Sequence, residues 1–225
     1  MSAAGGGRIV VLAGTNGAGK SSVAGEALRQ AGGAYYNPDE ATLRFLTLYP
    51  GMSREEANGR AWRLGRLLLH RAIEQRRAFA FETTLGGRTM TGLLMKAANV
   101  GIAVHVWYVG LDSPDRHVAR VRARVARGGH HISEARIRAR YDASRANLVS
   151  LLPHLAELKV YDNSTEGDPH SGGRPSPRLI LHLKAGGVVG ACSLADVPGW
   201  AKPIVLAATK PDECGRPLCA PVRLN

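Results

Sequence analysis

Residues 14–21 read Gly14-Thr15-Asn16-Gly17-Ala18-Gly19-Lys20-Ser21, a complete GxxxxGKS, and nothing else in the chain constrains its fold as tightly. Before it runs Arg8-Ile9-Val10-Val11-Leu12-Ala13, a short β-branched stretch of the kind that forms a buried parallel strand. After it, Lys20 to Gln30 has helical character and meets Gly32-Gly33, a stop signal. Strand, glycine-rich loop and helix in that order are a P-loop. Its glycines bring backbone N–H groups against phosphate oxygens, and the helix directs its positive end at the anion. Lys20 is expected to reach the β- and γ-phosphates, Ser21 to offer its hydroxyl to Mg²⁺, and Ser22 to lie alongside. A nucleoside triphosphate site follows from these residues. The motif leaves open what the γ-phosphate is used for, because ATPases, GTPases and small-molecule kinases share it.

The rest of the chain alternates in the same way. Ala34 to Asn37, Ala78 to Phe81, Ile102 to Val109 and Leu158 to Tyr161 read as further strands. A capping box at Ser53-Arg54-Glu55-Glu56 opens a long helix ending near Arg77, and Arg88 to Asn99 reads as another. Ser113-Pro114-Asp115 opens a helix running to Gly128-Gly129, and Ser133-Glu134 one that Pro153 closes. The expectation is an α/β fold: a parallel sheet of about five strands with helices on both faces. Ligands of such sheets bind at the carboxyl ends of the strands, so the P-loop, Asp39, Glu82-Thr83-Thr84, Asp112 and Asp162-Asn163 should meet on one rim.

The chain's 225 residues carry 30 basic and 18 acidic side chains, a formal charge of +12. That balance favours anionic partners: nucleotides, phosphosugars or nucleic acid. The position of the arginines discriminates between them. Eight lie between Arg116 and Arg140 against one acid, Glu134, on both sides of the Gly128-Gly129-His130-His131 break. Helix, turn, helix is how a lid over a triphosphate is built, with Arg120, Arg124 and Arg127 spaced to share a face. A nucleic-acid surface would carry the same charge, but no aromatic residues are interleaved for base stacking. Lid is the favoured reading, over about residues 113–150. His130 and His131 fit a polar lid turn better than a metal site, since adjacent histidines do not readily share one ion.

Transfer of phosphate to an alcohol also needs a base near the acceptor hydroxyl. Asp39, after the second strand, stands where the acceptor of a P-loop kinase would sit, with Glu40 its nearest rival and a plain turn or cap aspartate the alternative. Glu82 closes an apolar strand, where a carboxylate is costly unless solvated, paired or near metal. With Thr83 and Thr84 it is a candidate to hold a substrate hydroxyl or a Mg²⁺-bound water; helix capping by the threonines is the competing use.

The remaining segments divide the chain. Residues 1–7 read as a flexible N-terminus without the apolar stretch of a signal peptide, and 8–164 as the core. Residues 165–177 are rich in Gly, Pro, Ser and His and read as a mobile loop, and 178–191 as a β-hairpin. The segment 165–208 is expected to pack on the core, and 209–225 to form a loose tail. Cys192, Cys214 and Cys219 form neither a disulfide framework nor a zinc knuckle. No apolar run approaches the roughly 20 residues of a membrane span, so a cytoplasmic protein is expected.

Taken together, GTNGAGKSS, NPDE, FETTLGG, RVRARVARGGHHISEARIRARY and YDNS resemble the zeta-toxin-like P-loop kinases, over roughly residues 8–164. The resemblance is closest to the branch often labelled predicted ABC-type ATPases. That label fits poorly, because the chain has neither an LSGGQ-like segment nor a clear Walker B Asp-Glu pair. The resemblance implies a nucleotide-kinase-type fold, ATP with Mg²⁺, and phosphorylation of a sugar hydroxyl, in zeta toxins that of UDP-N-acetylglucosamine. By motif position it makes Lys20 and Ser21 the Walker A pair, Asp39 the general base, and Glu82 and Thr83 substrate contacts. Lid arginines such as Arg124 and Arg140 become phosphate clamps, and an antitoxin protein becomes an expected partner. The alternative is a nucleic-acid-associated P-loop ATPase or ATP-binding module.

Overall fold

The computed structural model describes residues 7–25, 35–129, 131–165 and 177–209. At the centre of its five parallel strands lies β1 (Arg8–Ala13), whose Ile9, Val11, Leu12 and Ala13 are wholly buried. On one side β1 pairs in parallel with β3 (Phe79–Thr83), Ile9 opposite Phe79. On the other it pairs in parallel with β4 (Ala103–Gly110), Arg8 opposite Ala103. The two-residue β2 (Tyr35–Tyr36) flanks β3, and β5 (Glu157–Asp162) flanks β4, both in parallel.

The sheet has seven strands rather than about five, in the order β2-β3-β1-β4-β5-β6-β7. The additional two are the hairpin β6 (Arg178–Lys184) and β7 (Gly187–Ala191), which continues the sheet. It adds antiparallel to β5, Leu158 opposite Leu183. An exposed edge of β5 would leave a row of unpaired N–H and C=O groups, and β6 satisfies them while burying Ile180 and Leu181 completely. A carboxylate reinforces the join. Glu157 on β5 accepts from His105 on β4 at 2.9 Å and from His182 on β6 at 2.8 Å.

Helices cover both faces. The larger core lies under α3 (Arg54–Glu74), α4 (Arg88–Asn99), α6 (Glu134–Leu151) and α7 (Lys202–Thr209). On the opposite face, Val10, Leu12 and Ala80 meet Val23 of the short helical segment α1 (Ser21–Gly25). The remainder of the helix expected from Lys20 to Gln30 lies outside the described residues, as do most of the loop expected over 165–177 and the tail beyond 209. Among the described residues no helix is long and apolar enough to cross a membrane.

Two helices were not anticipated. Residues 38–48 form α2 (Pro38–Leu48), N-capped by Asn37, whose side chain accepts from the N–H of Asp39 at 2.9 Å. Only Ala41 and Thr42 of α2 are buried, so it carries little apolar periodicity. Its start nevertheless repeats the cap–proline–acid order of Ser113-Pro114-Asp115, which does begin α5 (Pro114–Ala126). The other is α7, which follows a buried Trp200. That tryptophan lies against Tyr108, with ring centres 6.1 Å apart, and its indole N–H donates to Asp162 at 3.1 Å. Trp200 is one of several core residues in this segment, with Ile180, Leu181, Val197, Ile204 and Val205 also buried in the main cluster.

Candidate active site

The carboxyl ends of β1 to β5 meet along one edge of the sheet, and the P-loop crosses it between β1 and α1. Gly14, Gly17 and Gly19 take φ of +138°, +84° and +84°. At Gly14 the requirement is also one of space: a Cβ would stand 2.1 Å from the carbonyl oxygen of Val109 on β4. Gly14 thus lets the loop leave β1 while pressed against the adjoining strand. Thr15, Asn16, Ala18 and Lys20 are buried; Ser21 and Ser22 are exposed.

Lys20 and Ser21 meet Glu82, and Glu82 organises this half of the site. Lys20 Nζ donates to the Gly14 carbonyl at 2.9 Å and lies 3.5 Å from Glu82 Oε1. Ser21 Oγ donates to Glu82 Oε2 at 3.0 Å. Tyr35 donates its hydroxyl to the same oxygen at 2.8 Å, and the Asn37 amide approaches it at 3.4 Å. A half-buried carboxylate at a strand end is tolerable on these terms, surrounded by a cation and three donors. The hydroxyl of Ser21 and the carboxylate of Glu82, side by side at the cradle, are hard oxygen donors of the kind that could hold a divalent cation. Sequence reasoning found Glu82 and Ser21 but passed over Tyr35, because a tyrosine in a short strand reads as core.

A cleft of about 1170 Å³ opens from the cradle between α2, α3, the β3–α4 turn and the start of α6. Asn16, Lys20, Asp39, Glu82, Thr83, Thr84 and Arg140 all line it. Asp39 is in the first turn of α2, with its side chain 56% exposed, so its carboxylate is solvated and turned toward the cleft mouth. Glu40 is also exposed and lies 3.4 Å from the Asn37 amide, but it does not line the cleft. Thr83 and Thr84 do not cap α4; Gly87 occupies that position. Thr83 instead accepts from the N–H of Leu85, which shapes the turn below the cleft.

The lid arginines separate. Arg140 on α6 reaches into the P-loop, Nη1 to Asn16 Oδ1 at 2.7 Å, and burial holds its pKa below the usual guanidinium value, with Arg136 adding to the effect and Asp39 opposing it. Arg120 on α5 donates to the carbonyl of Asn163 at 2.9 Å, in the turn after β5. Arg124 crosses to α2, 3.7 Å from Asp39. Arg127 is the exposed C-cap of α5. The shared face expected for Arg120, Arg124 and Arg127 therefore resolves into three destinations. Arg122 and Arg138 are engaged on the lid itself, both with Glu134, and Arg138 also with Asp115. Of the histidine pair, His131 lines the cleft and His130 lies outside the described residues.

Two further residues hold the loop, and neither was anticipated in that role. Asn163 donates its amide to the carbonyl of Ala18 at 2.9 Å. His117, buried inside α5, places Nδ1 2.8 Å from the carbonyl of Asn16. Burial is the main reason its pKa falls from 6.5 to about 4; the bond to Asn16 opposes that shift, and Lys20 and Arg120 add to it. His117 is thus neutral at pH 7 and donates from Nδ1. Its folded pKa lies below its unfolded one, so the unfolded chain takes up a proton first as pH falls. Stability should drop between about pH 6.5 and 4 by roughly 3 kcal/mol, at 1.36 kcal/mol per pKa unit. Urea melts across that window should show the loss in the wild type and a flatter profile in His117→Gln. Glu157 does not confuse the reading. Burial pushes its carboxyl up, but hydrogen bonds from His105 and His182 outweigh this and bring it down to about 2, so its contribution is lost from about pH 4.5 downward, beneath most of the His117 window.

A P-loop at the carboxyl end of a mixed, mainly parallel sheet, with α5 and α6 packed beside it and an adjoining cleft, is the arrangement of a kinase-type P-loop protein. The zeta toxin family model matches residues 6–167, and the chain belongs to that family. A protein of Haemophilus influenzae without an assigned function is 31% identical over 134 residues, which is 60% of this chain and 92% of that one. Among solved structures, the AvrRxo1-ORF1:AvrRxo1-ORF2 complex with sulphate ions superposes with a TM-score of 0.64 at 14% identity, covering 90% of this chain. This chain spans 63% of that one's length. The PezAT toxin–antitoxin system of Streptococcus pneumoniae gives a TM-score of 0.50 at 16% identity, covering 72% of this chain and 70% of that one. At these identities the structures speak for the fold.

Proposed function

We propose that the protein is an ATP-dependent kinase that transfers the γ-phosphate to a hydroxyl of a small acceptor, with UDP-N-acetylglucosamine or a related nucleotide sugar as the acceptor class. One observation carries the reading: Asp39, Lys20 and Glu82 line the same cleft, and Ser21 is hydrogen-bonded to Glu82. The P-loop binds and orients the triphosphate, with Lys20 set against its β- and γ-oxygens. Mg²⁺, held by Ser21 and through water by Glu82, would neutralise charge on those oxygens. Asp39 takes the proton of the acceptor hydroxyl. The acceptor oxygen then bonds the γ-phosphorus as the bond from that phosphorus to the β,γ-bridging oxygen breaks, and ADP departs. Arg140 stands on the phosphate side of the cleft.

Several findings support this reading. The family supplies the kinase class, and a second AvrRxo1-ORF1:-ORF2 structure at TM-score 0.64 was solved with ATP. The cleft of about 1170 Å³ has room for a nucleotide-sized acceptor as well as phosphate. The lid arginines are committed to Asp39, Asn163, Asn16 and Glu134, which fits a lid better than a track for nucleic acid. A protein antitoxin is a partner in keeping with the family and with the PezAT neighbour.

The test is phosphate transfer from γ-labelled ATP with Mg²⁺ to a panel of nucleotide sugars, free sugars and polynucleotides. Label should appear in a nucleotide sugar with wild type and be lost in Lys20→Ala. Label confined to free sugars would overturn the acceptor class. ATP hydrolysis stimulated by DNA or RNA, with no acceptor labelled, would replace the kinase reading by the nucleic-acid one.

A further inference from the structure

Helix α3 forms one wall of the cleft. Glu55, Asn58, Gly59, Trp62 and Gly65 line it, at the spacing that puts residues on one helix face. That face runs beside the apolar stripe of Ala57, Ala61, Leu69 and Ala72, which holds α3 to the core. Trp62 stands apart on this wall. Of the Phe, Tyr and Trp side chains lining the cleft, Tyr36 and Phe81 are buried, whereas Trp62 is 45% exposed. From there the indole adds little to the core, and the gain that burial of so large a ring would bring is left unrealised.

The surroundings of Trp62 steady the ring and leave space beside it. Arg66, one turn further along α3, holds its guanidinium 5.6 Å from the ring centre. Among the described residues no other aromatic ring stacks on it. A helical side chain leans over the turn N-terminal to its own Cα, which for Trp62 is the turn holding Asn58 and Gly59. A Cβ at Gly59 would meet only the guanidinium of Arg63, at 3.5 Å. Gly65 differs: a Cβ there would stand 2.6 Å from the Tyr36 ring, so packing against β2 requires that glycine. No packing contact requires Gly59, and glycine inside a helix is unfavourable relative to alanine. Its effect is an open shelf on the cleft wall beside the indole.

A flat apolar ring beside an open shelf suits a flat aromatic ligand. The polar side chains of the same wall are poorly placed to distinguish one such ligand from another. The side-chain oxygen of Asn58 already accepts from Thr42 on α2 at 3.0 Å, and Glu55 is about two turns away from Trp62.

We propose that Trp62 is the platform on which the base of the acceptor nucleotide stacks, with Gly59 as the space that admits it. This rests on the reading of the cleft as the acceptor site. The wall senses that a base is present, through its ring face, and not which base it is. Sugars carried on uracil, adenine or guanine nucleotides are all taken, and sugar phosphates without a base are held weakly.

Binding tests this directly. The protein is first saturated with Mg²⁺ and a non-hydrolysable ATP analogue, so that the P-loop is filled. Isothermal titration then compares UDP-N-acetylglucosamine, ADP-glucose and GDP-mannose with N-acetylglucosamine 1-phosphate, the control that lacks a base. Wild type should bind the three nucleotide sugars within about fivefold of one another and the control about tenfold more weakly. Trp62→Ala should weaken the nucleotide sugars about twentyfold, the scale of one stacked base, and leave the control unchanged. Trp62→Phe, which still offers a ring, should recover most of that loss. Gly59→Leu, which fills the shelf, should weaken the nucleotide sugars about tenfold while melting no lower than the wild type. Stacking also has an optical sign. Each nucleotide sugar should quench the indole emission of the wild type, and the quench should vanish in Trp62→Phe, which keeps Trp107 and Trp200.

A quench by the ATP analogue alone, lost in Trp62→Phe, would give the platform to the adenine of ATP and overturn the proposal. Equal weakening of the control and the nucleotide sugars in Trp62→Ala would overturn it too, and so would a wild type that binds no nucleotide sugar. Transfer of label from ATP judges the kinase reading separately. A nucleotide sugar labelled equally well by wild type and Trp62→Ala at low acceptor concentration would sink the platform and leave the kinase. The full binding pattern with no acceptor labelled would do the reverse.

Discussion

Asp39→Ala should lose acceptor phosphorylation by about a thousandfold in kcat, the scale of a general base, while keeping its grip on ATP. The basis is placement. Asp39 is held at the mouth of the cleft by the first turn of α2, and its nearest described cation is on the lid rather than in the P-loop. Its loss removes the proton acceptor without touching the cradle of Gly14 to Ser21. Single-turnover assays with labelled ATP and the acceptor identified by the panel read the chemical step, and titration with ATP reads the cradle. Slow hydrolysis of ATP to ADP should persist, because the Lys20–Ser21–Glu82 side is intact. Turnover equal to the wild type would remove Asp39 from the mechanism. Glu40, outside the cleft, would not inherit the role, and Glu82 would be the carboxylate to test next.

Trp200→Ala should be the most destabilising single change in the C-terminal part, by about 3–5 kcal/mol, as for other large-to-small changes at buried aromatic sites. The ring is 4% exposed and fills space that the sheet has left for it. Gly110, at the end of β4, would place a Cβ 2.3 Å from the ring, so the strand and the tryptophan are fitted to each other. Deletion opens a cavity beside Tyr108 and takes the indole N–H from Asp162. Asp162 keeps its bonds to Ser164, and Asn163 beside it holds the carbonyl of Ala18. A cavity under this turn therefore reaches the P-loop as well as the core. Urea denaturation should show the lower midpoint. Trp200→Phe, which keeps one aromatic ring but loses the N–H and part of the indole's volume, should cost less, about 2 kcal/mol. Equal losses in the two variants would mean that the bond to Asp162, rather than the ring's volume, is what matters.

Much of this was legible beforehand. The strand–loop–helix around Gly14 to Ser21 is a local device: its conformation follows from glycines at positive φ, and its chemistry from backbone groups within a few residues. The same holds for the start of α5 at Ser113-Pro114-Asp115 and its end at Gly128-Gly129, where caps and chirality act over one turn. Glu82 could be singled out because a carboxylate terminating an apolar strand has an energetic cost that must be met somewhere.

The partners that meet such costs are another matter. Tyr35 and Ser21 reach Glu82 from 47 and 61 residues away, and His117 reaches Asn16 across 101. No spacing rule connects them. The hairpin was visible as a hairpin, but its place at the edge of β5 follows from strand edges that need partners, a property of the assembled sheet. The eight lid arginines looked alike in sequence, and only the packing of α5 and α6 over the sheet sends Arg140 to the P-loop, Arg120 to the turn after β5 and Arg124 to Asp39. The sequence alone determined that this chain builds a P-loop and where along it the acids and cations lie, because those are matters of backbone conformation and residue chemistry over a few positions. Which cation faces which acid was decided by the tertiary structure, because electrostatic pairing depends on distance in space, and the folded sheet and lid set that distance.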